Sequence, residues 1–225
     1  MPAPRPSQPR LARSPRAALA HLRAADPAME RAIAAVGKFA LPEREATLHL
    51  LCASVIGQSI SVKAAEKIVG RFSERVGDPT RLTPTKLLAT SEAELQALGL
   101  TRGKACALHG LGELWRRERW TSAKLDRLPD EEIAGKLVAV KGIGPWTAKM
   151  FLIFGLRRPD VLPFEDLGLR EGLRVIHGLE QRPTPEETKR LAAPWAPWST
   201  VGTVYVWCFL MKLKGETLAG EHGWW

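Results

Sequence analysis

The chain has 225 residues, with 33 Lys and Arg against 24 Asp and Glu, a formal charge of +9 and a pI near 9.8. That length allows one large or two small domains with a real core, and the charge favours a polyanionic partner such as nucleic acid over an acidic or neutral one. No run reaches the roughly 20 apolar residues that span a bilayer, so a soluble protein without membrane contact is expected. Cys52, Cys106 and Cys208 stand too far apart for a paired framework or a Cys-x-x-Cys metal site, and three cysteines cannot hold a four-cysteine iron–sulfur cluster. They suit a reducing, cytoplasmic compartment.

In chain order, residues 1–16 are rich in Pro and Arg (Pro2, Arg5, Pro6, Pro9, Arg10, Arg13, Pro15, Arg16) and read as a disordered basic tail without the apolar core of a signal peptide. Asp26 and Pro27 open a helix that Gly37 stops. Leu41 to Ile56 carries an apolar stripe at Leu48, Leu51, Cys52 and Val55, and Ser61 to Phe72 reads as a further helix ended before Gly77. Ser91 with Glu94 forms a capping box, closed by Gly99, and Thr101 to Arg119 is long, basic and amphipathic. Helices are expected to open at Pro129-Asp130-Glu131-Glu132 and at Thr184-Pro185-Glu186-Glu187, and Ser199 to Lys212 reads as a buried helix with Tyr205, Trp207 and Phe209. No alternating strand pairs stand out, so the class is all-α, and Pro/Gly-rich joints near 37–42, 77–84 and 178–185 predict two helical lobes.

The densest signal lies between Leu137 and Leu169. Gly142-Ile143-Gly144 is followed by Pro145, which suits the first turn of a new helix, so the amides of Gly144, Trp146 and Thr147 would face outward from a positive helix end and hold an anion. Taken alone, the same glycines could serve only tight helix packing. Asp166 follows 20 residues after Trp146; it could do chemistry on a nucleotide held at the turn, or cap a helix over Leu167 to Ile176. Glu165 is adjacent, but helical neighbours point about 100° apart, so only one of the two acids can serve a given face.

Val138-Ala139-Val140-Lys141-Gly142-Ile143-Gly144-Pro145-Trp146-Thr147-Ala148, followed by Val161-Leu162-Pro163-Phe164-Glu165-Asp166-Leu167-Gly168, resembles the helix-hairpin-helix, Gly/Pro-rich loop and aspartate signature of the DNA glycosylase superfamily. Within it the chain most resembles the AlkA-like group, 3-methyladenine DNA glycosylase II. Ile56-Gly57-Gln58-Ser59-Ile60-Ser61-Val62-Lys63-Ala64-Ala65 and Pro194-Trp195-Ala196-Pro197-Trp198 match that group too, and the likeness spans roughly residues 17 to 215. The resemblance implies a two-lobed all-α fold with a cleft between lobes: a central lobe of about 55–155, a second lobe from the N- and C-terminal helices, and no N-terminal β domain, for which the chain is too short.

The resemblance also implies a function. The chain would be a monofunctional glycosylase in base excision repair that flips alkylated bases (3-methyladenine, 7-methylguanine) out of double-stranded DNA and hydrolyses the glycosidic bond. Strand-cleaving relatives carry a lysine where this chain has Trp146, so no Schiff base is expected. The implied catalytic residue is Asp166, to stabilise positive charge on the sugar and to orient or deprotonate the attacking water. The base pocket would hold Trp146, Trp207, Met150 and Cys208, the last two standing where the group has tyrosines. The duplex wedge would lie on Gln58, Ser59 and Ile60, with Ser59 replacing a bulky residue and Ile60 an alternative filler. Lys141, Gly142, Gly144, Trp146 and Thr147 would bind phosphate, and backbone carbonyls of Val138, Val140 and Ile143 would hold Na+ or K+. No other cofactor is implied, and a cytoplasmic, nucleoid-associated monomer is expected. Arg102, Lys104, Arg116 and Arg117 could add phosphate contacts or form a solvated charged face. The alternatives are a non-catalytic helix-hairpin-helix DNA-binding module and a glycosylase for uracil or deaminated purines.

Overall fold

The computed structural model describes residues 10–11, 15–38, 41 and 45–215, and every described element is helical. In chain order these are α1 (Arg16–Ala25), α2 (Ala28–Val36), α3 (Leu48–Gly57), α4 (Val62–Val76), α5 (Pro84–Leu88), α6 (Glu92–Ala97), α7 (Arg102–Glu118), α8 (Ser122–Leu125), α9 (Asp130–Val138), α10 (Pro145–Met150), α11 (Leu167–His177), α12 (Pro185–Ala192) and α13 (Ser199–Leu213). The chain divides into two compact units, one of residues 45–156 and the other of residues 10–41 with 157–215.

In the first unit the organising element is α3. Eight of its ten residues are buried, so it is apolar all round rather than striped as the spacing predicts. It packs on α4 and α7, and Thr47 caps its start by accepting the Leu50 N–H at 3.2 Å. Ser61 and Thr101 cap α4 and α7 the same way, and the Ser91–Glu94 capping box forms as predicted. Past α10 the chain runs through a π-helical turn, Phe151–Gly155, all of it buried.

In the second unit α13 plays the corresponding part. It is buried from Ser199 to Val206 and packs on α2 and α11. Gly172 of α11 makes one close approach possible, because a Cβ there would fall 2.2 Å from Val206 Cγ1. Asp26 sits one residue further from α2 than expected: Pro27 occupies the cap, and Asp26 accepts the Ala28 N–H at 3.1 Å through Oδ1. Most of the expected basic tail lies outside the described residues. Leu11 does not fit that expectation, since it is buried, donates its N–H to the Arg157 carbonyl at 2.7 Å, and has its own carbonyl taken by the Arg157 guanidinium.

Candidate functional site

The first unit carries the hairpin. Its geometry is set by Ile143 N–H donating to Val140 O at 3.0 Å and by Gly142 at φ +93°, where a Cβ would also press to 3.1 Å from Ala107 of α7. Gly142 therefore answers two constraints, backbone sign and close approach. Gly144 answers neither: its backbone is extended, it caps α10, and no atom lies within 4 Å of where its Cβ would be. The fold does not need a glycine there, but a ligand approaching the backbone would. Lys141 is exposed beside it, and Trp146 is half-buried at the second position of α10.

The turn after α3 is tied to this hairpin. Gln58 Nε2 donates to Thr147 Oγ1 at 3.0 Å and to Gly142 O at 3.3 Å. From α7, Lys104 Nζ donates to Ile56 O and Gln58 O, both at 2.7 Å, at the negative end of the α3 dipole. Burial pulls the Lys104 ammonium below its ordinary pKa. Between these anchors Ser59 adopts the left-handed region, φ +57°, a conformation that costs a non-glycine residue roughly 1–3 kcal/mol. Ser59 and Ile60 are exposed, whereas the Gln58 amide is engaged within the unit.

The basic helix departs from its sequence reading at Lys104, while its arginines stay on a solvated charged face. Lys104 is turned onto the α3 carbonyls rather than outward, Arg116 is paired with Glu113 and Arg117 with Glu118, while Arg102 remains exposed. Met150 is 2% exposed, which removes it from any solvent-open wall.

The second unit carries the acid. Asp166 caps α11, its Oδ1 accepting the Leu169 N–H at 2.6 Å, so the capping role is real. The same oxygen accepts the Trp207 indole N–H from α13 at 2.8 Å, which a cap does not require. Asp166 and Trp207 are both half-buried, as is Cys208, whose thiol burial pushes up to about 12, leaving it protonated and no nucleophile. Glu165 precedes the cap, and the helix start selects Asp166 over it.

Three residues have a part in this geometry that the sequence did not assign to them. At Gly168 a Cβ would stand 3.1 Å from Asp166 Oδ1, a tight contact, and 3.6 Å from Trp207 Nε1, so a larger side chain would press on the acid where that bond is made. Its signal was a glycine inside the first turn of a helix, a placement unfavourable by roughly 0.5–1 kcal/mol unless space is needed. Gly172, one α11 turn later, lets α13 come close enough for Trp207 to reach the acid. Lys104 was named only as a candidate phosphate contact or part of a charged face, because nothing local shows which way a long cation turns. Among the described residues no group of three or more His, Cys, Asp or Glu side chains is placed to hold a metal ion, and no helix is long and apolar enough to cross a membrane.

Comparison with known proteins follows the same residues. The pattern of the HhH-GPD superfamily of base excision DNA repair proteins matches residues 52–197, which include the hairpin and Asp166. DNA-3-methyladenine glycosylase 1 of Schizosaccharomyces pombe is 30% identical over 191 residues, covering 83% of this chain and 84% of that one. The DNA-3-methyladenine glycosylase of Bacillus subtilis is 28% identical over 174 residues, covering 70% of this chain; the aligned part spans only 55% of that relative. The solved structure of the Schizosaccharomyces pombe enzyme Mag1 in complex with abasic DNA superposes with a TM-score of 0.77 at 30% identity, covering 85% of this chain and 95% of that one. The chain belongs to the HhH-GPD superfamily of base excision DNA repair proteins.

Proposed function

We propose that the chain is a monofunctional DNA glycosylase that releases alkylated purines of the 3-methyladenine and 7-methylguanine type from double-stranded DNA, leaving an abasic site. The observation that carries the reading is the Asp166 carboxylate, held by one donor of its own helix and one from α13. As the glycosidic bond breaks, positive charge builds on the sugar, and a carboxylate already fixed in place stabilises it without reorganising. The same group can orient or deprotonate the attacking water. The names of the relatives support the class of base.

Release by water accords with Trp146, an indole with no amine to attack the sugar. The half-buried rings of Trp146 and Trp207 are each of the kind that holds a cationic purine. The open backbone at Gly144 and the exposed Lys141 are the features that would take a phosphate. The carbonyls of Val138, Val140 and Ile143 would hold Na+ or K+ there: a neutral, all-oxygen backbone set suits a monovalent ion and offers a divalent one no charge compensation. The ion would supply positive charge facing the phosphate, and no further cofactor is required. The setting is the cytoplasm, with the nucleoid as the working location in a bacterium.

The test is base release from methylated duplex DNA by wild type and Asp166→Asn. The variant should bind DNA as wild type does and lose release by at least about a hundredfold, the scale of removing a preorganised electrostatic group. Wild type that binds DNA but releases no base from any lesion would leave a DNA-binding module in place of the enzyme, and strand cleavage without an added abasic-site nuclease would overturn the monofunctional assignment.

A further inference from the structure

We infer that Asp26 and His177 are positioning residues for Asp166: with Trp195 they fix the far ends of α11 and α13, and so set the offset between the two helices that lets Trp207 reach the acid. The inference rests on the glycosylase reading above.

Asp26 is only 6% exposed, and an acid so buried has to be met by donors. They come from three elements. The Ala28 N–H reaches Oδ1 from the start of α2 at 3.1 Å, and the Trp195 indole N–H reaches Oδ2 at 2.8 Å from the turn Ala193–Trp195 that leads towards α13. His177, the last residue of α11, brings Nε2 to 3.5 Å from Oδ2, and this buried nitrogen has no hydrogen-bond partner elsewhere among the described residues. Trp195 carries the connection on to α13. Its side chain is fully buried, and Gly202 lets α13 lie against it, because a Cβ there would fall 2.5 Å from Trp195 Cε3.

The helix pair is therefore bound at both ends by the same two groups. At one end the Asp166 carboxylate accepts the Trp207 indole N–H at 2.8 Å, and at the other the Asp26 carboxylate accepts that of Trp195, also at 2.8 Å. Between them Val206 fills the place of a Gly172 side chain, so the middle of the pair has no slack. The eleven residues of α11 put the two clamps about 16 Å apart, at 1.5 Å per residue. A stiff helix held at its centre passes a displacement of one end to the other, because a close-packed interior transmits strain. The bond at Asp166 is sensitive to such a shift, since a hydrogen bond weakens steeply with distance and angle. Asp26 and His177 touch no reacting atom and act through that bond.

The experiment reads the bond and the reaction separately in wild type, Asp26→Asn, His177→Leu and His177→Gln. In an NMR spectrum of the indole N–H groups, Trp207 is the resonance missing from Trp207→Phe, and its exchange with water measures how firmly Asp166 holds it. Asp26→Asn and His177→Leu should quicken that exchange by about threefold or more, while the Trp146 indole, in the other unit, keeps its wild-type rate. Single-turnover release of an alkylated base, taken at a temperature where circular dichroism shows every variant folded, should fall by about threefold to tenfold, with affinity for abasic DNA within about twofold of wild type. His177→Gln retains a donor and should recover part of the loss. Combined with Trp207→Phe, neither variant should add more than about twofold to the loss that Trp207→Phe causes alone; sites this far apart are ordinarily additive, so losses that multiply would overturn the inference. An unchanged Trp207 exchange rate would overturn it as well, as would variants that lose Tm but release base at the wild-type rate. Wild type that releases no base would overturn the glycosylase reading instead, and the indole exchange would still score the clamp.

Discussion

One oxygen of Asp166 answers to both helices. Oδ1 accepts the Leu169 amide of α11 and the Trp207 indole of α13, so the carboxylate's orientation depends on a bond that a helix cap alone does not need. Trp207→Phe keeps an aromatic ring but removes the N–H. Single-turnover base release should fall by about tenfold with affinity for abasic DNA unchanged, since about 1.4 kcal/mol is a modest charge-assisted hydrogen bond; unchanged release would assign Trp207 to packing alone. A second buried acid, Asp26, governs stability. Burial works to raise its carboxyl, but the His177 imidazole at 3.5 Å, the Trp195 indole N–H at 2.8 Å and the Ala28 N–H outweigh it and hold the group below the usual carboxylate range. A carboxyl lowered in the folded state adds stability that is fully present above its unfolded value, about 3.9, and is lost as pH falls through the folded value. Wild type should therefore exceed Asp26→Asn by about 1–3 kcal/mol in urea unfolding at pH 7, the gap narrowing below about pH 4; a gap that widens on acidification would contradict it.

At the scale of elements, α11 and α13 show how spacing between helices becomes geometry at an atom. Val206 fills the place that a Gly172 side chain would take, and its neighbour Trp207 thereby reaches Asp166. Gly172→Ala should lower stability by about 1–3 kcal/mol as the helices part, and base release should fall further than that loss explains; calorimetric unfolding with single-turnover kinetics separates the two effects, and an unchanged Tm would refute the close approach. Such contacts were not legible in the sequence. The caps at Ser91 and Thr184 were, because a cap is a local contract between a side chain and an amide three residues on. The all-round burial of α3 was not, since an apolar stripe and a fully apolar helix differ only in what packs on the remaining faces. Asp166 could be named from its motif, but its indole donor lies 41 residues away and only the fold brings it in.

Across the whole molecule the formal charge of +9 overstates the charge free to meet DNA. Lys104 is turned onto the α3 carbonyls, Arg71 onto Leu98 O, and Arg157 onto Leu11 and Leu41. Composition counts all of these as attraction for a phosphate backbone, whereas each already satisfies an acceptor of the protein. Salt dependence distinguishes the two populations, because only a cation that displaces a counterion from DNA contributes to the slope of log K against log salt, about 0.9 per phosphate neutralised. Lys141 is exposed on the hairpin, so Lys141→Met should weaken binding to undamaged duplex and reduce the slope by about 1 between 50 and 200 mM salt. Lys104→Met removes the same formal charge and should leave that slope unchanged, because its ammonium is held by Ile56 O and Gln58 O. Equal slopes for the two variants would mean that the hairpin lysine makes no phosphate contact, or that Lys104 leaves its carbonyls on binding; fluorescence anisotropy with a short duplex measures both slopes directly.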